Sequence, residues 1–331
     1  MLRKSLLIAV VCFLVLFMVL AGGAVYWWCK AVNQGFAPLQ SLLNLYCADG
    51  GNGGPGIWTA GKSGQEKGQA DFNEGLRYFH GNGVAKDFKE AVKCWSRAAE
   101  QGHSGAQFNL GVCYVQGHGV DKNFPEAVKW FRKAAEQGHS VAQFNLGACY
   151  AQGQGVDRNF SEAAKWFRKA AEQGEVEAQF ILARYLRRGQ GVARDFPEAV
   201  QWLNKAARHG HAGAQFILGV CYAQGQGVDK DLTKAVKWFR KAAEQGDVGA
   251  QFNLAVCYSK GSGVAQDDEQ AVYWYRKAAE QGDAEAQVNL GVRYAKGKGV
   301  DRNDRQAVYW FRKAAAQGHS GAQQALKDLE D

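Results

Sequence analysis

The amino-acid sequence predicts an all-α fold: a right-handed α/α solenoid, or superhelix, of seven 36-residue helix–turn–helix repeats plus a C-terminal capping helix. Three observations predict it. Residues 105–140 (GAQFNLGVCYVQGHGVDKNFPEAVKWFRKAAEQGHS) and 141–176 (VAQFNLGACYAQGQGVDRNFSEAAKWFRKAAEQGEV) are near copies. Copies begin at Gln69, Gly105, Val141, Glu177, Gly213, Gly249 and Glu285, always 36 apart, and fill 69–320 without insertion. The chain also combines 41 Gly with only 4 Pro at 47% hydrophobic residues, a composition that excludes collagen, a proline-rich linker and wholesale disorder.

Taken in order, the chain opens on residues 1–29. Residues 5–28 (SLLIAVVCFLVLFMVLAGGAVYWW) carry no charge over 24 positions, long enough to cross a bilayer as one helix. Arg3 and Lys4 precede them and Tyr26, Trp27 and Trp28 close them, so the expectation is a single-pass anchor. Its N-terminus would be cytoplasmic and the repeats extracytoplasmic, in a bacterial periplasm. The competing reading is a signal peptide cleaved after Ala21 or Ala24, which would make the protein secreted. Residues 30–68 form a linker: 36–46 can make a short amphipathic helix, and 49–68 is a Gly-rich tether without periodicity.

The repeats, 69–320, follow. In the first segment of the second copy, Ala106, Leu110, Cys113 and Tyr114 fall at i, i+4, i+7 and i+8, one helical face. Phe108 and Val115 add a second apolar strip, so this helix A has neighbours on two sides. Gly117 and Gly119 break it. Helix B opens near Asn123, with Pro125 and Glu126 in its first turn, and packs through Ala127, Phe131, Ala134 and Ala135. Gly138 closes it. Such a unit cannot bury its own apolar faces, and stacking does so. Residues 321–331 (GAQQALKDLED) make a polar capping helix.

The pattern A-x-x-x-L-G-x-x-Y-x-x-G-x-G-V at Ala106, Leu110, Gly111, Tyr114, Gly117, Gly119 and Val120, followed by the helix-B signature from Glu126 to Gly138, resembles the Sel-one-like repeat (SLR), a longer relative of the tetratricopeptide repeat. The resemblance covers about three quarters of the chain. It implies a scaffold or adaptor, many of the family being bacterial and exported, and it implies no single ligand. A cysteine-rich secreted branch of that family pairs a helix-B cysteine with one eight positions later. Ala135 and Gln143 stand there in this chain, which argues against the β-lactam-binding role of that branch.

Motifs that suggest chemistry have simpler readings. Cys113, Cys149, Cys221 and Cys257 share one repeat position, and equivalent helices of a stack lie about 10 Å apart, beyond disulfide reach. They read as small buried hydrophobes, with Cys29, Cys47 and Cys94 outside the ladder. The Gly-x-Gly pairs lack a preceding strand and a following Lys-Ser/Thr, so they are turns and not a phosphate cradle. The seven histidines read as surface turn residues, and His209 with His211 is too few ligands for a metal. Trp130, Trp166, Trp202, Trp238, Trp274 and Trp310 read as packing between repeats. No nucleophile constellation is present, so no enzyme, cofactor or metal is expected.

With a formal charge of +8, the chain favours anionic partners. The expected function is a membrane-anchored, exported scaffold that binds a protein or peptide, preferably acidic, on the concave face of the solenoid. The alternative is an anionic glycan or cell-wall polymer, and a cell-wall or β-lactam hydrolase ranks last. No nucleic acid is expected. On helix A the candidate contacts are Asn73, Asn109, Asn145, Asn253 and Asn289, with Gln116, Gln152 and Gln224 further along the same strip. His80, Lys260 and Lys296 share that last position. In the fourth copy Ile181 interrupts the asparagines, and Arg184 and Arg188 enter beside Arg187, a fork chemistry suited to carboxylates.

Overall fold

The computed structural model describes residues 68–330, which form fifteen helices and, among the described residues, no strand. They are α1 (Gln69–His80), α2 (Phe88–Glu100), α3 (Ser104–Gln116), α4 (Phe124–Glu136), α5 (Ser140–Gln152), α6 (Phe160–Glu172), α7 (Val176–Arg188) and α8 (Phe196–Arg208). They continue with α9 (Ala212–Gln224), α10 (Leu232–Glu244), α11 (Val248–Lys260), α12 (Asp268–Glu280), α13 (Ala284–Lys296), α14 (Asp304–Ala316) and α15 (Ser320–Glu330). Odd-numbered helices from α1 to α13 are helix A of each repeat and the even-numbered ones helix B, giving a solenoid-like array of helix–turn–helix pairs; α15 follows the seventh pair. The anchor, the linker, Cys29 and Cys47 lie outside the described residues. Among those residues, no helix is long and apolar enough to cross a membrane.

The boundaries have local causes. Six of the helices B start on an Asp or Asn in extended conformation whose side chain accepts from the backbone of the first turn: Asp87, Asn123, Asn159, Asp231, Asp267 and Asn303. Such a cap contributes on the order of 1 kcal/mol. Helix A ends on a glycine in the left-handed region, Gly117 at φ 81° in the second copy, whose N–H donates to the Cys113 carbonyl. Two residues on, Gly119 at φ 73° lies so close to the Phe88 carbonyl of the preceding helix B that a Cβ has no room. The Gly-x-Gly pair is thus half cap and half docking point.

Two compact units divide inside α8, between Trp202 and Leu203. In the first, Phe72, Trp95, Ala98, Leu110 and Cys113 form one apolar cluster, with Trp130 of the next helix B packed against it. Phe108, Phe131, Ala134, Leu146 and Cys149 form the following cluster, which takes in Trp166. In the second unit, Leu290 and Tyr275 share a cluster with Trp310, and Phe311, Ala314 and Val288 pack with Ala322 and Leu326 of α15. The tryptophan of one repeat therefore seals the core of the repeat before it. Cys94, Cys113, Cys149 and Cys221 are buried thiols in no disulfide, and Cys257 is a half-buried one. Close approach is set by small residues: a Cβ on Gly111 would sit 2.5 Å from the Phe131 ring.

Candidate interaction surface

The asparagine strip expected on helix A is mostly interior. In α3 and α5, ten of thirteen residues are buried, because each inner helix has neighbours on both flanks. Asn109 and Asn145 are 0% exposed. Asn253 is buried and Asn289 half-buried, and each gives its amide N–H to its own helix, at Gly249 O (2.7 Å) and Glu285 O (2.8 Å). Asn73, on the first helix, is exposed and accepts from Gln69 at 2.9 Å. Gln116, Gln152 and Gln224 are half-buried. His80, Lys260 and Lys296 are exposed at the helix ends.

The arginines of α7 are brought together. Arg184, Arg187 and Arg188 are all half-buried on the last two turns. Arg184 lies 5.6 Å from the centre of the Phe180 ring. Burial, then repulsion from Arg188, pulls its pKa down to about 10, with Glu177 working in the opposite direction. Arg188 is shifted down too, by burial and by Arg187. A positive cluster held against burial and mutual repulsion favours an incoming anion.

Two polar systems that run through the array escaped the sequence reading. The first is a glutamine relay. Gln107, Gln143, Gln179, Gln215, Gln251 and Gln287 are buried and donate to the last-turn carbonyl of the preceding helix B, as Gln143 does to Ala135 O at 3.0 Å. Glutamines in the next turn close the link: Gln137 to Gln107 (2.6 Å), Gln173 to Gln143 (2.7 Å) and Gln245 to Gln215 (2.7 Å). The recurrence of Gln at both positions in nearly every copy was the available signal.

The second system corrects the histidines. His103 and His139 are 2% and 8% exposed and are not surface residues. With His211 and His319 they cap helix A, each Nδ1 accepting the N–H of the residue three ahead at 3.1–3.3 Å. Asp247 and Asp283 do the same in their copies, both at 2.7 Å. His139 stacks on Phe108, ring centres 4.9 Å apart, and its burial lowers its pKa to about 4.

Outer helices carry further polar contacts. Arg132, Arg240 and Arg276 each donate to the tyrosine hydroxyl eighteen residues on, at 2.7–2.8 Å. The corresponding residue for Arg168 is Leu186, and Arg168 instead forks onto Glu198, which also accepts from Trp202 at 3.1 Å. A shallow depression of about 400 Å³ opens beside it, lined by Glu162, Lys165, Trp166, Lys169 and Val192. Among the described residues, no group of three His, Cys, Asp or Glu stands together to hold a metal ion.

The model of the Sel1 repeat matches residues 69–103, 104–139, 140–175, 176–211, 212–247, 248–283 and 284–319, and also the short stretch 23–36. Among solved structures, c5321, a protective antigen of uropathogenic Escherichia coli strains displaying an SLR fold, is 39% identical with a TM-score of 0.74. The match covers 80% of this chain and 56% of that one, so the chain spans little more than half of that relative's length. A Sel1 repeat protein from Oxalobacter formigenes is 37% identical with a TM-score of 0.62, covering 74% of this chain and 96% of that one. No curated protein sequence matches.

Proposed function

Because the chain belongs to the Sel1 repeat family, we propose that it works as an interaction scaffold for a protein partner, and that the α7 arginines receive an acidic group of that partner. The observation that carries this reading is the cluster of three half-buried guanidiniums, Arg184, Arg187 and Arg188, on the last two turns of α7. A carboxylate meeting Arg184 and Arg188 offsets the repulsion between them. Elsewhere on the inner helices, Asn253, Asn289 and the glutamine relay are turned to packing. The array supplies extended surface and the arginines supply one point of selectivity.

Calorimetric titration of the full chain with a hexaglutamate peptide tests the site. The double change Arg184→Ala, Arg188→Ala should weaken binding by about tenfold, equivalent to 1.4 kcal/mol, and more than Lys260→Ala with Lys296→Ala. Equal losses put the acidic site elsewhere.

The scaffold is further proposed to be held by residues 5–28 with its repeats outside the cytoplasm. Support comes from the uncharged span after Arg3 and Lys4. N-terminal sequencing of the mature protein decides the matter: an intact start supports the anchor, and a start at Gly22 or Val25 replaces it with a secreted form.

A further inference from the structure

Among the described residues, the exposed large hydrophobic side chains are Tyr273 on α12 and Tyr309 on α14, 47% and 46% exposed. They stand 36 residues apart, at the same position of consecutive repeats. In the second to fifth copies that position holds Lys129, Lys165, Gln201 and Lys237, so the packing of a repeat does not require a ring there. Each ring is braced edge-on by the adjoining tryptophan. Tyr273 meets Trp274 at 4.9 Å and 85°, and Tyr309 meets Trp310 at 5.0 Å and 79°. One turn further along, Lys277 Nζ lies 5.8 Å from the Tyr273 ring centre and Lys313 Nζ 4.8 Å from that of Tyr309. The motif of one open ring and one ammonium is repeated with the period of the array.

The charge around the second ring is one-sided. Arg305, Arg312 and Lys313 are exposed within a turn of Tyr309. Helix α14 ends in Ala316, where α4, α6, α10 and α12 end in Glu136, Glu172, Glu244 and Glu280. Its single acid, Asp304, is in an ion pair with Arg302 at 3.1 Å. On the first ring's side, Asp268 is likewise taken up by Arg293 and Lys298, leaving Glu269 and Glu280 against Arg276 and Lys277.

We propose that this face binds an anionic polysaccharide of the uronic-acid type, with sugar faces against Tyr273 and Tyr309 and carboxylates on Lys277, Lys313, Arg305 and Arg312. A pyranose has an apolar C–H face and a polar rim, which a half-exposed aromatic ring flanked by cations complements on both counts. A polymer with a repeating unit also meets a surface that repeats, equivalent helices of a stack being about 10 Å apart. An acidic peptide would be served by the cations alone and has no need of a bare ring at the same place in consecutive repeats. The site is distinct from the α7 arginines and does not depend on them.

Calorimetry of the full chain with oligogalacturonate, maltohexaose and hexaglutamate tests the proposal. The expected result is binding of oligogalacturonate that weakens with added salt and, with Arg184 and Arg188 both replaced by Ala, exceeds that of the other two. Tyr273→Gln with Tyr309→Gln, the residue already present at 201, should cost about tenfold or more in affinity, while Tyr→Phe at both positions keeps it. Lys277→Gln with Lys313→Gln should cost a similar factor, and thermal melts should not move because all four side chains are at the surface. Arg184→Ala with Arg188→Ala should leave the titration unchanged, so failure at either site is told apart from failure at the other. Absence of oligogalacturonate binding, binding indifferent to the tyrosine changes, or hexaglutamate bound as tightly once Arg184 and Arg188 are both replaced by Ala would overturn it.

Discussion

His139 shows how one side chain sets a condition on the fold. Burial holds its imidazole neutral in the folded chain, with the pKa lowered from about 6.5 to about 4, and Nδ1 accepts the Ala142 N–H. The unfolded chain binds the proton first as pH falls. The contribution is therefore complete above pH 6.5 and is lost between 6.5 and 4, summing to about 3 kcal/mol. His139→Asn, a cap that does not titrate, should remove that part of the acid sensitivity in urea melts at pH 4.5 and 7. His319 has the opposite sign, since Glu285 raises its pKa; its contribution is present below pH 6.5 and fades above it. Histidine is outside the usual set of N-caps, and so the role was hidden in the histidines themselves; Asp247 and Asp283 at the same repeat position disclosed it. The burial of most of the asparagine strip escaped the sequence for another reason. The helical wheel placed Asn109 and Asn145 correctly beside the core face, but a wheel does not know that the flank is covered too. Gln143→Ala should cost about 1–3 kcal/mol in thermal unfolding, because Ala135 O and the Gln173 amide both lose their partner.

At the scale of the element, the turns decide. Gly138 at φ 89° has nothing within 4 Å of where a Cβ would sit, whereas Gly119 at φ 73° faces the Phe88 carbonyl. Gly138→Ala should then cost only the left-handed strain, about 1–2 kcal/mol. Gly119→Ala should cost clearly more, since the backbone of the preceding helix has to move as well. Chemical denaturation of the two variants measures the difference, and equal losses would mean that the second glycine of the turn is there for its dihedral angles alone. Helix boundaries were legible because the breakers are local: the sequence reading opens helix B at Asn123, and α4 runs from Phe124 behind an Asn123 cap. The docking role of Gly119 was not legible, since its partner lies 31 residues back and only the folded turn brings the two together.

For the molecule as a whole, the 36-residue period was legible from identity between copies alone, and so was the need for an end cap. Ala322 and Leu326 of α15 cover Phe311 and Ala314. Deleting residues 321–331 should expose that cluster and lower solubility and the melting temperature more than deleting residues 141–176, after which helices of the same kind meet again. Differential scanning calorimetry of both deletions checks this; an equal loss would count against additive stacking. The exposed tyrosines were beyond the reach of sequence, because YW at 273–274 and 309–310 reads like the KW of other copies until burial separates the two rings.

The contacts that join repeats recur at fixed separations: Gln143 to Ala135 and Gln179 to Ala171, Gly119 to Phe88 and Gly155 to Phe124. Each joint is thus specified by residues of one copy and its immediate predecessor, and every copy carries both halves. Unequal crossing-over that adds or removes 36 codons leaves all remaining joints correctly matched. The gene can lengthen or shorten its product in whole steps without passing through an unfoldable intermediate, and a surface feature gained in one copy can be duplicated along with it. The pair of open tyrosines in the last two copies has the form such a duplication would leave.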